Sequence, residues 1–205
     1  LLIHKKALPP EVAHHPRVRV FTCALVHPET IGDAFVKVDA ILHYASVLFK
    51  ARPERFMATT NTLFFKNVVD AAKNNNVPRV VLTSFPHVEG ETSFDFPSTE
   101  IRSKTPISIH AKTRLAEENY LMEQYGQNAV ILRIGMVYGR GVLMPDTARW
   151  CAQRYLLGVW KKPTHIHLIS LPDYLAATKE ALLQDHISGT YNLGDEGEQT
   201  LQAYL

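Results

Sequence analysis

Ala40-Ile41-Leu42-His43-Tyr44-Ala45 and, after a helical pattern from Glu54 to Asn75, Arg79-Val80-Val81-Leu82-Thr83-Ser84 are the stretches that decide the fold. Both are short apolar runs of the kind that forms a buried strand. Between them Met57, Asn61, Phe64, Val68 and Ala71 or Ala72 recur at helical spacing, and the helix stops at Asn74-Asn75-Asn76 before Val77-Pro78. Strand, helix and strand in that order make the unit of a parallel sheet covered by helices.

The same alternation extends in both directions. Further strands are expected at Leu1 to His4, Arg17 to Thr22, Ala129 to Ile134, His165 to Ser170 and Thr190 to Leu193. Helices are expected at Ser108 to Tyr125, closed by Gly126, and at Asp146 to Leu157, closed by Gly158. Ser170-Leu171-Pro172-Asp173 starts another, with a hydroxyl cap, a proline in the first turn and an acid three residues after the cap. Glu89 to Pro106, rich in Ser, Thr, Pro and acids, reads as the one long loop. The fold class is α/β, a doubly wound parallel sheet.

At 205 residues, 46% hydrophobic and 20% charged, the chain suits one globular domain rather than a disordered one. With 22 Lys and Arg against 20 Asp and Glu, its net charge of +2 gives no basic field, so neither nucleic acid nor a membrane surface is an expected partner. The apolar runs Leu42 to Phe49 and Ala129 to Leu132 end far short of the roughly 20 residues of a membrane span. Cys23 and Cys151 are too few for a disulfide framework or a four-ligand zinc site, which favours the cytoplasm. His165-Ile166-His167 has no carboxylate or thiol nearby in sequence, so no metal is expected there. Leu1-Leu2-Ile3-His4 reads as a strand under way and Gln199 to Leu205 as a helix just begun, so both ends are expected to lie inside a larger domain.

Val38-Asp39-Ala40-Ile41-Leu42-His43-Tyr44-Ala45-Ser46 resembles the fourth-strand segment of the extended short-chain dehydrogenases, the NAD(P)-dependent epimerase and dehydratase group. Further segments resemble the same family in order: Asn61 with Asn67 to Ala72, Pro78 to Ser84 with Val88 and Gly90, Ala111-Lys112 with Ala116-Glu117, Leu132-Arg133 with Val137-Tyr138-Gly139, Leu171 to Leu175, and Thr190 to Gly194. The resemblance implies a Rossmann-like sheet with ligand at the carboxyl ends of its strands. It divides the chain into residues 1–140, an NAD(P)-binding domain, and residues 141–205, part of a substrate-binding region interleaved with the sheet. The family's glycine-rich turn after the first strand is not in this sequence, whose first glycine is Gly32.

In that family a Tyr exchanges a proton with the substrate oxygen, a Lys four residues on holds the nicotinamide ribose, and a Ser or Thr bonds the same oxygen. Lys112 falls in the Lys slot, but Ser108 stands where the Tyr belongs and Phe85 where the hydroxyl belongs. Ser108 and Lys112 are therefore candidates with a lost phenol. His87, on the loop past the strand, is a candidate acid or base, with a solvated loop histidine as the alternative. His110 sits two residues from Lys112, a turn of roughly 200°, and is expected on a different face.

For the cofactor the resemblance assigns Ala45, Ser46, Asn61 and Lys112, and Lys5-Lys6 at the end of the presumed second strand suits the 2′-phosphate of NADP over NAD. A solvated basic turn is the other reading of Lys5-Lys6. The implied function is an NAD(P)-dependent oxidoreductase or epimerase acting on a small carbonyl or nucleotide-sugar molecule, in a chain that could form a homodimer. The alternative is a non-catalytic NAD(P)-binding regulatory or scaffold protein of the same fold, since two of the three catalytic positions are replaced.

Overall fold

The computed structural model describes all residues except 4–6, 48–49, 92–105, 159–160 and 205, together with the side chains of 143–145. In chain order the elements are β1 (Leu2–Ile3), α1 (Pro10–Ala13), β2 (Phe21–Thr22), β3 (Ala40–His43), α2 (Phe64–Asn74), β4 (Arg79–Ser84) and α3 (Ile109–Tyr125). There follow β5 (Ala129–Ile134), β6 (Met136–Tyr138), α4 (Leu143–Gln153), β7 (Leu168–Ser170), α5 (Leu171–Leu183), β8 (Gly189–Leu193) and α6 (Leu201–Tyr204).

The central sheet runs β3-β4-β5-β8, with every pair parallel. Alternation along β4 and β5 explains why both strands are apolar throughout. Val80, Leu82, Ala129 and Ile131 point to one face, against Phe65, Val68, Val69 and Ala72 of α2 and Leu121 of α3. Val81, Val130 and Leu132 point to the other, against Ala181 of α5. Both faces are covered, as a parallel sheet requires. β1 and β2 form a separate parallel pair that joins the same core through Leu2 of β1, with Leu25 past β2 packed there too, and β6 and β7 form a third parallel pair.

β4 and β5 have the bounds expected from sequence, and α5 begins as read. Ser170 Oγ accepts from the Asp173 N–H at 3.2 Å and donates to the Asp173 carboxylate at 2.5 Å. The stop of α2 is also as expected. Asn76 takes a left-handed φ of 55°, the Val77 N–H reaches back to Ala72 O and the Asn76 N–H to Lys73 O, a paired closure that suits Asn.

Other bounds differ. The expected helix from Glu54 is broken into a tight turn at Pro53–Arg55, a widened π-type segment at Ala58–Leu63 and then α2. β3 ends at His43 rather than Ala45, and β7 begins at Leu168 because His165 instead makes an antiparallel bridge to Thr200. α4 starts before Asp146 and ends at Gln153. Most of the expected 89–106 loop lies outside the described residues. Among the described residues no helix is long and apolar enough to cross a membrane, and no group of three His, Cys, Asp or Glu side chains could hold a metal.

Candidate functional site

The carboxyl ends of β4 and β5 meet α3, and a buried polar network fixes that junction. Arg133 near the end of β5 donates through Nε and Nη2 to Glu118 of α3 at 3.1 and 2.8 Å, and through Nη1 to Glu89 at 2.6 Å. Ser84, the last residue of β4, donates to Glu118 at 2.5 Å, and Asn192 of β8 donates to Glu89 at 3.1 Å. Arg133 and Glu118 are fully buried. Burial opposes the Arg133 charge, but Glu118 and Glu89 outweigh it and raise its proton affinity.

After β3 the chain forms a ledge held by Asn61. The Val47 N–H donates to Asn61 Oδ1 at 3.0 Å, while Asn61 Nδ2 donates to Ser46 Oγ at 3.3 Å and to Val47 O at 3.5 Å. The widened helical segment at Ala58–Leu63 is what carries the buried Asn61, and such distortions concentrate at functional sites. Ala45, Ser46 and Asn61, singled out from sequence, are thus brought together, with Ala45 exposed at the rim. His43 beneath the ledge is buried and held near a pKa of about 4, by burial first and then by the charge of Arg114.

The expected pair on α3 is elsewhere. Ser108 is the helix cap, its Oγ accepting the Ala111 N–H at 3.0 Å, and Lys112 is exposed. The inward face of α3 carries Ala111, Arg114, Glu117, Glu118 and Leu121, with His110 at its start. His110 stacks on Phe85 with ring centroids 4.6 Å apart, and His87 approaches the same ring at 5.4 Å. The pair four residues apart that meets the strand ends is therefore His110 and Arg114, two residues along from Ser108 and Lys112. Ser108 and Lys112, the residues singled out from sequence, thus lie on the exposed side of α3, and His110 lies on a different face from Lys112. Lys5 and Lys6 lie outside the described residues.

Electrostatically the cluster favours neutral imidazoles. His110 is lowered by burial, by Arg114 and by His87, and His87 by burial and His167. Arg114 is buried and paired with Glu117 at 2.5 Å. Burial lifts the Glu117 carboxyl to about 7 in spite of that partner. His110 Nε2 is shielded from water and has no hydrogen-bond partner among the described residues. Thr83, one residue earlier on β4, shares a hydrogen bond with the Tyr174 hydroxyl at 2.7 Å, which accounts for it as packing.

Lys112→Ala is accordingly expected to change stability by less than about 0.5 kcal/mol. It should also leave dinucleotide affinity in the full-length protein unchanged, as read by urea denaturation and NADPH titration. A tenfold loss of affinity would restore Lys112 to the site.

A parallel sheet with a pinned loop and a titratable cluster at its carboxyl edge defines a nucleotide-binding α/β protein. The chain belongs to the NAD(P)H-binding family, whose model matches residues 1–141. No curated protein matches it in sequence. Among solved structures it resembles the Thermus thermophilus UDP-glucose 4-epimerase complex with NAD, at 22% identity and TM-score 0.76 over 91% of this chain and 67% of that one. It also resembles the Bordetella bronchiseptica enzyme WbmG in complex with NAD, at 18% identity and TM-score 0.81 over 98% and 66%. A third is RMD from Pseudomonas aeruginosa with NADPH, at 19% identity and TM-score 0.73 over 93% and 73%. The chain thus spans about two thirds to three quarters of the length of these neighbours, and at such identities the likeness is one of fold.

The dinucleotide fits the residues present in part. The Asn61-held ledge gives a backbone-lined wall past β3, and the unsatisfied His110 Nε2 gives a polar group past β4. The glycine-rich cradle for the pyrophosphate is not in the sequence, since Gly32, its first glycine, begins a short helical turn at Gly32–Phe35.

Proposed function

We propose that the protein is an NAD(P)-dependent oxidoreductase or epimerase-like enzyme acting on a small carbonyl or nucleotide-sugar substrate, with a proton-transfer site that departs from the phenol and ammonium pair. When bound, the nicotinamide supplies the hydride donor or acceptor. Residues 1–140 contribute the walls of the dinucleotide site and residues 141–205 part of the substrate side.

The observation that carries this reading is the stack of His110 on Phe85, one helical turn from buried Arg114, at the carboxyl edge of the sheet. It sets a titratable group and a cation where ligands bind in this fold. Nucleotide sugars enter because one neighbour is a UDP-glucose 4-epimerase and WbmG also occurs with NAD and UDP.

The second reading, a non-catalytic NAD(P)-binding regulator or scaffold, draws on Phe85. Its apolar ring occupies the position at the strand end where a hydroxyl would bond a substrate oxygen. The test is NAD(P)H consumption by the full-length protein against a panel of nucleotide sugars and small carbonyl compounds, with NAD(P)H affinity measured alongside. Turnover on at least one member of the panel is expected. Tight NAD(P)H binding with none would decide for the regulator.

A further inference from the structure

We propose that His110, one helical turn before the buried Arg114 on α3, is the residue that exchanges a proton with the substrate oxygen, through Nε2. The inference rests on the enzymatic reading above. His110 has the features such a group needs. Its ring is fixed face to face on Phe85 at 4.6 Å, so it does not have to be ordered when substrate arrives. Its main chain is held in the first turn of α3, where His110 O accepts from Thr113 Oγ1 at 3.0 Å. Its Nε2 is shielded from water and bonded to nothing among the described residues. A buried polar atom left in that state is destabilising by about 1–3 kcal/mol, and a bound hydroxyl would relieve it.

Among the described residues, several charged and titratable groups stand on the elements near the ring. Arg114 and Glu117 stand on the same helix, His87 on the turn after β4 with His167 beyond it, and His43 at the end of β3. Burial first, then the charge of Arg114 and then His87 oppose a proton on His110, which lowers its proton affinity below that of a free imidazole. In the oxidising direction the substrate O–H bond breaks and an N–H bond forms at Nε2. The electron pair of the broken O–H bond becomes the second bond of the carbonyl while the carbon's C–H bond breaks with its pair, and a bound oxidised nicotinamide would supply the acceptor for that hydride. In the reducing direction the imidazolium returns the proton to the oxygen. His87 is the weaker candidate because it is exposed and meets Phe85 at a tilt.

The test uses the full-length protein labelled with carbon-13 at histidine Cε1. The His110 resonance, identified by its disappearance in His110→Gln, is expected to titrate below the ordinary value of about 6.5. Arg114→Gln should move that midpoint up by half a pH unit or more, while Arg114→Lys, which keeps the charge, should not. The rising limb of the oxidative pH profile should shift with it. His110→Gln should reduce turnover about 100-fold or more while NAD(P)H affinity persists, and added imidazole should restore part of the rate to His110→Ala.

Turnover that survives His110→Gln overturns this inference alone and leaves the enzymatic reading standing. A midpoint that ignores Arg114→Gln overturns the role given to Arg114. A wild-type protein that binds NAD(P)H and turns over nothing overturns this inference together with the enzymatic reading it rests on.

Discussion

Arg133→Met should lower the unfolding free energy by about 3–5 kcal/mol, a large part of the roughly 5–15 kcal/mol that holds a domain folded. The reason is what the change leaves behind. Arg133 joins Glu118 from α3 and Glu89 from the turn after β4, while Ser84 and Asn192 bring β4 and β8 into the same network. Without the guanidinium, the Glu118 and Glu89 carboxylates both lose the buried cation that donates to them, and keeping them ionised in a dry site becomes costly. Arg133→Lys should recover little, because a single ammonium cannot reproduce the forked bonds that reach Glu118 and Glu89 together. Arg133→Leu combined with Glu118→Leu and Glu89→Gln should recover most of the loss, since no unpaired charge then remains. Urea denaturation followed by far-UV circular dichroism reads all three. A loss below about 1 kcal/mol for Arg133→Met would mean that water reaches the network.

That network also explains why the sheet was legible in the sequence and the site was not. β4 and β5 announce themselves because both of their faces are apolar, so Val80-Val81-Leu82 and Ala129 to Leu132 read as unbroken runs. The stop of α2 and the cap of α5 depend on local chemistry, Asn at a left-handed residue and Ser before Pro and Asp, and local chemistry is written in neighbouring residues. The inward face of α3 is different. It buries Arg114, Glu117 and Glu118 beside Ala111 and Leu121, so charge hides the apolar period that marks a core-facing stripe.

The family resemblance pointed to Lys112 and, four residues before it, Ser108, whereas Ser108 is the cap and Lys112 faces solvent. The signal present in the sequence was the pair of opposite charges at Arg114 and Glu117, three residues apart, with Glu118 matched by Arg133 across the sheet. Read together, these partners orient the helix and bring His110 to the strand ends. The break before α2 was equally invisible, because a π-type widening depends on what Asn61 must reach and not on helix propensity.

Gly135→Ala should be the second severe change, destabilising by about 3 kcal/mol, the upper end of the usual overpacking range. Gly135 is the single residue between β5 and β6, where the chain leaves the central sheet for the small β6-β7 pair. A Cβ there would lie 2.3 Å from His167 O, 2.5 Å from its carbonyl carbon and 2.7 Å from its Cβ. Two of these atoms are backbone, so no side-chain rotation relieves the clash. The backbone at Gly135 has no positive φ, which makes the constraint one of space and not of conformation. The His167 segment must therefore move, and with it go the Met136 N–H bond to His167 O at 2.7 Å and the pairing of Met136 with Leu168.

The loss should stay regional. Amides of β6 and β7, and the Asp195 N–H that bonds Leu168 O at 2.7 Å, should exchange faster with solvent. The amides of β4, in the middle of the sheet, should keep their protection. Gly141, with a φ of 88° and open space around its Cβ position, is the contrasting site. There alanine meets only the backbone preference, worth about 1 kcal/mol. If Gly135→Ala lies within about 0.5 kcal/mol of wild type with β6 and β7 protected as before, the close approach of the two segments is wrong.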